Sequence, residues 1–110
     1  CQQPEGYWTR SLLDPEHAPG PETSGTAFFT YGLLWGMNNG FLDKATYQPV
    51  VEKAWKYLTT VALQPDGRVG YVQPIGEKAI PGQVVDANST ANFGVGAFLL
   101  AACEIVRFLN

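Results

Sequence analysis

Only one histidine and two cysteines occur among the 110 residues, and charged side chains make up just 15% of the chain. His17 stands in an Asp-Pro-Glu-rich loop with no other nitrogen or sulfur ligand nearby, whereas zinc requires three or four convergent ligands. A metal site is therefore not expected. Neither a nucleophile elbow, nor a histidine-containing triad, nor a glycine-rich phosphate loop can be assembled from these residues. The seven lysines and arginines form no cluster and the net charge is -3, which argues against nucleic acid as a partner. One well-placed arginine could still hold a single anionic sugar. A membrane span is not expected either, because Gly94, Gly96, Glu104 and Arg107 interrupt the last apolar stretch. Two cysteines do not make a disulfide framework, and Cys103, in an apolar helical run, is expected to be a buried small hydrophobe. The compartment stays open between the cytoplasm and periplasm of a bacterium.

What is present is a hydrophobic content of 45%, an aromatic content of 13% and a turn that occurs twice. Gln3-Pro4-Glu5-Gly6 precedes Tyr7-Trp8, and Gln64-Pro65-Asp66-Gly67 precedes Tyr71-Val72 by a few residues. Each turn is followed by a polar loop and a hydroxyl-led helix start, at Thr23–Thr26 and at Asn88–Thr90. A unit of this size is the mark of stacked helical hairpins that cannot bury their apolar faces alone. The chain holds fewer than two such units and reads as a piece of something larger. Its low charge agrees, since a free-standing surface normally carries more.

Three helices are expected. The first runs from about Thr26 to Asn38, is apolar all round, and ends at Asn39-Gly40. The second carries Tyr47, Val50, Val51, Ala54, Trp55 and Leu58 on one face and Glu52, Lys53 and Lys56 on the other, with Thr46 as N-cap and Pro49 in the first turn. Ser89 or Thr90 caps the third, which runs to about Leu109 and is again apolar nearly all round. Arg68–Gln73 is a short extended segment. This order of buried, amphipathic and buried helix fits a two-layer ring of hairpins better than an up-down bundle, in which every helix would show a polar face.

Several residues are candidates for a site. Trp8 can stack on a sugar ring, and Arg10 offers the planar fork that matches a carboxylate. Packing for Trp8 and a surface charge for Arg10 are the plainer alternatives. Glu22, Ser24, Asn88, Ser89 and Thr90 are candidate pocket lining, because the start of a buried helix presents free amides to an anion. Helix capping by Ser24 or Thr26, with Glu22 favourable near the dipole, is the alternative for the first group, capping is likewise the alternative for Asn88–Thr90, and both readings stay open here.

Gly6–Glu16, Pro21–Ala27, Tyr31–Gly36, Asn39–Asp43, Gln64–Gly67 and Gly94–Ala101 together resemble the C-terminal half of the unsaturated rhamnogalacturonyl hydrolases. Those are glycoside hydrolase family 105, close to the unsaturated glucuronyl hydrolases of family 88. The resemblance implies an all-α fold, with about two hairpins of an (α/α)6 toroid in residues 1–110. It also implies an enzyme that removes 4,5-unsaturated uronic acid from the non-reducing end of lyase-cut oligosaccharides, with no metal or organic cofactor. An aspartate acts as general acid in that family and lies upstream of all the matched segments. None of Asp14, Asp43, Asp66 and Asp86 occupies its motif, so no catalytic residue is assigned. Trp8 and Arg10 fall on the family's substrate-binding aromatic and arginine. The rival readings are a non-catalytic carbohydrate-binding or self-assembling helical module, and a piece of another (α/α)-toroid sugar enzyme.

Overall fold

A computed structural model describes all of residues 1–110. Three helices, α1 (Thr23–Asn38), α2 (Lys44–Tyr57) and α3 (Asn92–Leu109), carry the fold, and a π-helical turn over Leu58–Ala62 extends α2. The expected all-α class is correct. The Arg68–Gln73 segment is not a strand, and extended pairing is confined to two isolated bridges, Trp8 with Glu22 and Leu63 with Val69.

All three helix starts differ from the sequence-based expectation. α1 begins at Thr23 because the extended Glu22, not Ser24 or Thr26, is its cap. α2 is capped by Asp43, whose carboxylate accepts from the Thr46 amide at 2.9 Å and the Thr46 hydroxyl at 2.8 Å. Thr46 is therefore the partner of the cap. Pro49 consequently lies inside α2 rather than in its first turn. The missing proline N–H removes the i→i−4 bond that the carbonyl of Ala45, an exposed residue, would otherwise accept. α3 starts after Ala91, which offers no side-chain cap, so neither Ser89 nor Thr90 serves. The C-terminal signal of α1 holds: Gly40 adopts φ 79 and its amide closes on the Met37 carbonyl.

The two turns share one hydrogen-bond pattern. Gly6 and Gly67, at φ 103 and 89, donate to the carbonyls of Gln3 and Gln64. Gln3 and Gln64 in turn donate to the carbonyls of Tyr7 and Arg68. Left-handed backbone suits glycine, which has no Cβ to clash. The first turn also docks on α2: Gln2 Nε2 donates to the Val50 carbonyl at 2.9 Å, and Gly6 lies directly on the Lys53 carbonyl.

α1 packs chiefly on α3 and more lightly on α2. One core cluster gathers Ala27, Tyr57, Leu58, Ala62 and Ala97, and a second joins Leu34, Met37 and Val51. Small residues at Ala97 and Ala101, both fully or almost fully buried, let α3 approach α1 closely. Near the far end of this contact, the buried Glu104 accepts from Asn38 Nδ2 at 2.8 Å and from Arg107 at 3.2 Å.

α1 and α3 are not buried on every side as expected. Phe28, Phe29 and Trp35 on α1, and Val95, Leu99 and Val106 on α3, form exposed apolar stripes at helical spacing. Cys103 falls on the α3 stripe and is exposed, not buried. By length and mean hydropathy of 1.6, α3 is apolar enough to cross a membrane. Within the chain it packs on α1 and buries Glu104.

Candidate functional site

The beginning of α1 is where both turn-derived segments converge. The Trp8 amide donates to Thr26 Oγ1 at 3.0 Å, and the Glu22 amide donates to the Trp8 carbonyl. From the second unit, the Tyr71 carbonyl accepts the Thr23 amide at 2.7 Å. Thr23 Oγ1 donates to the Gly70 carbonyl at 2.7 Å and lies 2.8 Å from the Tyr57 hydroxyl. A carbonyl can only accept, so the single threonine proton goes to Gly70 and Tyr57 is the donor to Thr23. Burial pushes the Tyr57 hydroxyl well above the ordinary tyrosine range, and the nearby Glu22 charge raises it further.

Glu22 is 2% exposed and its carboxylate is saturated with donors. It accepts from the Ser24 amide (3.1 Å), the Ser24 hydroxyl (2.7 Å), the Gly25 amide (2.7 Å) and the Gln73 amide (2.9 Å). The first three bonds cap α1, and the last fixes the loop that follows the second turn. Tyr71, immediately before that loop, has φ 62. A bulky residue in the left-handed region stores strain of about 1–3 kcal/mol, held here by its amide to Asp86 and its carbonyl to Thr23.

Beyond this knot lie two cavities of opposite character. One, of about 230 Å³, is polar and is lined by Arg10, Gln73, Pro74, Glu77, Lys78 and Gln83, among others. Arg10 Nη1 donates to Gln83 Oε1 at 3.0 Å and to the Ile80 carbonyl at 3.5 Å, while Nη2 donates to the Gln83 carbonyl at 3.3 Å. All three partners are neutral. The chain's two salt bridges are Arg68–Asp66 and Arg107–Glu104, so Arg10 forms no ion pair with a carboxylate, although Glu77 lines the same cavity. The other cavity, of about 420 Å³, is apolar and is lined by Trp8, Leu12, Phe28, Phe29 and Leu33, with Cys1 and Gly32. Trp8 packs edge-on against Phe29 there, with ring centroids 5.1 Å apart.

Trp8 and Arg10 thus line separate cavities. Glu22 and Ser24 are buried in the α1 cap. Asn88 accepts from Arg68 at 3.2 Å, Ser89 is tied to Asp86, and Thr90 is exposed. None of these five lines either cavity. Three of the four aspartates have structural partners: Asp43 caps α2, Asp66 pairs with Arg68, and Asp86 accepts the Asn88 amide. Gln73, Glu77, Lys78 and Gln83 escape a reading by motif because they sit in a loop without periodicity. Only the chain's return to Arg10 gives them meaning.

The sequence model of glycosyl hydrolase family 88 matches residues 1–109. An unsaturated 3S-rhamnoglycuronyl hydrolase of Formosa agariphila is 47% identical over 106 residues, covering 96% of this chain and 27% of that protein. The chain spans about a quarter of the length of the curated relatives it matches. Among solved structures, a glycosyl hydrolase family 88 protein of Bacteroides vulgatus is 78% identical with a TM-score of 0.93, over 98% of this chain and 31% of that one. A protein named a polysaccharide lyase is 88% identical with a TM-score of 0.92, over 99% of this chain and 31% of its own. A possible family 105 member from Salmonella enterica, 24% identical, superposes over 100% of this chain and 29% of its own with a TM-score of 0.82, which extends the likeness in fold to that family.

Proposed function

The chain belongs to glycosyl hydrolase family 88, and on that premise we propose that it contributes about two hairpins to a six-hairpin toroid whose enzyme removes 4,5-unsaturated uronic acid from lyase-cut oligosaccharides. The observation that carries this reading is Arg10: a half-buried guanidinium on a polar cavity, bonded only to neutral groups. Removing a charge from water without pairing it is costly, so such a group favours an anionic ligand. A uronate carboxylate matches its fork in shape as well as sign. In this reading Arg10 binds and orients the sugar, Trp8 lines the separate apolar cavity, and the buried Glu22 knot holds the supporting loops. The general acid that protonates the sugar's double bond belongs to hairpins outside this segment. Addition of water then gives a hemiketal that opens and releases the product.

A lyase reading is favoured by one observation, the name of the relative at 88% identity. A lyase also needs a cation on the uronate carboxylate, since it abstracts the adjacent proton. The two reactions differ in sign: a lyase creates the ultraviolet-absorbing double bond and the hydrolase destroys it. In a complete enzyme containing this segment, absorbance should fall on addition of unsaturated disaccharide and stay constant on intact polysaccharide. Rising absorbance on polysaccharide overturns the hydrolase assignment. Arg10→Lys should weaken substrate binding by roughly ten- to a hundredfold, the scale of losing one or two charge-assisted bonds. Arg107→Lys, on α3, should leave binding unchanged. Equal binding by Arg10→Lys and the parent removes Arg10 from the carboxylate site.

A further inference from the structure

The contact between Arg10 and Gln83 joins residues 73 apart in sequence, and its geometry is one-sided. A guanidinium has five N–H bonds and two edges that can hold a planar acceptor. Gln83 takes the outer edge, its side-chain oxygen on Nη1 and its main-chain oxygen on Nη2, and Ile80 takes the second Nη1 proton. The inner edge, made by Nε–H and the second Nη2 proton, has no partner in the protein. The anchor itself is an amide and not a carboxylate. It fixes the orientation of Arg10 without cancelling its charge, whereas glutamate of the same size would form a strong bidentate ion pair there.

From this arrangement we propose that Gln83 is a positioning residue and a selectivity determinant: it holds the outer edge of Arg10 so that the inner edge meets the ligand's carboxylate, and by being neutral it reserves the arginine charge for that carboxylate. The inference rests on the assignment of Arg10 to uronate binding. Gln83 touches the ligand's partner and not the reacting atoms, so its influence falls on affinity and on discrimination between charged and uncharged sugars.

The test compares binding of the unsaturated uronyl disaccharide with that of its methyl ester, in a complete enzyme containing this segment. The parent should prefer the free acid. Gln83→Glu keeps the shape and strengthens the contact with Arg10, so a merely structural role predicts an equal or more stable protein with unchanged binding. The positioning role predicts that affinity for the free acid drops about tenfold or more, the scale of a lost charge-assisted bond. Affinity for the ester should change little, so the preference for the acid collapses. Gln83→Ala, which keeps the charge of Arg10 but frees its outer edge, should retain the preference for the acid with weaker binding of it. If Gln83→Glu does not fold, retention of full acid affinity by Gln83→Ala overturns the proposal. Gln83→Glu with the parent's preference overturns the selectivity role while leaving the proposed function intact. A parent that binds neither compound overturns both.

Discussion

Tyr57 shows how much one buried hydroxyl organises. Its proton goes to Thr23 Oγ1, whose own proton goes to the Gly70 carbonyl, so α2, the start of α1 and the second post-turn segment are joined by two short bonds. Burial holds the Tyr57 proton more tightly in the folded chain than in the unfolded one, where tyrosine ionises near its ordinary value of 10.0. Above pH 10 the unfolded state therefore gives up this proton first, and stability that is complete below that pH is lost as pH rises through the raised value. Tyr57→Phe should cost about 1 kcal/mol at neutral pH for the lost hydrogen bond. It should also flatten the loss of stability above pH 10, which urea unfolding at a series of pH values would reveal. An unchanged alkaline slope in the variant would assign that loss to other groups, with Tyr7, also raised by burial and by Glu5, the first to test.

At the level of elements, the two Gln-Pro-acid-Gly turns look equivalent in sequence and in hydrogen bonding, yet they differ in surroundings. A Cβ on Gly6 would strike the backbone carbonyl of Lys53 in α2, whereas a Cβ on Gly67 meets nothing within 4 Å. Both glycines have positive φ, so alanine at either incurs the left-handed penalty of about 1–2 kcal/mol. Gly67→Ala should show only that amount. Gly6→Ala should show it together with the cost of lifting the turn from α2, and so be the more damaging substitution by more than about 1 kcal/mol. Equal denaturation midpoints for the two variants would mean that the first turn is not seated on α2. The Gln2 bond to Val50, in the same seat, gives the reason to expect otherwise.

For the whole molecule the dominant feature is the unpartnered apolar surface. Phe28 is 47% and Leu99 57% exposed, each on a helix whose opposite face is fully packed. Isolated proteins seldom display contiguous apolar stripes on neighbouring helices, and covering one such side chain is worth about 1.5–3 kcal/mol. The 110-residue chain by itself should therefore self-associate, and sedimentation at rising concentration should show a shift to larger species. Leu99→Gln, which breaks the α3 stripe without touching the core, should weaken that association. A monomer at every concentration, unfolding in one sharp step, would show that these stripes need no cover.

Sequence alone determined the helical class, the order of helices, the two turns and the family resemblance. These rest on local signals: apolar spacing, left-handed glycines and prolines act over a few residues wherever the chain later goes. The amphipathic character of α2 was legible for the same reason. Only tertiary structure decided the tie from Glu22 to the second unit's loop, the exposure of Cys103 and the partners of Arg10. Glu22 receives an amide from a residue 51 positions away, and Arg10 is held by one 73 positions away. No periodicity encodes such pairs, because they exist only once two turns of the chain have packed against the same helix start. Apolar stripes on α1 and α3 could be read as buried from composition, but which face is covered depends on the neighbours a helix meets, and that is a property of packing.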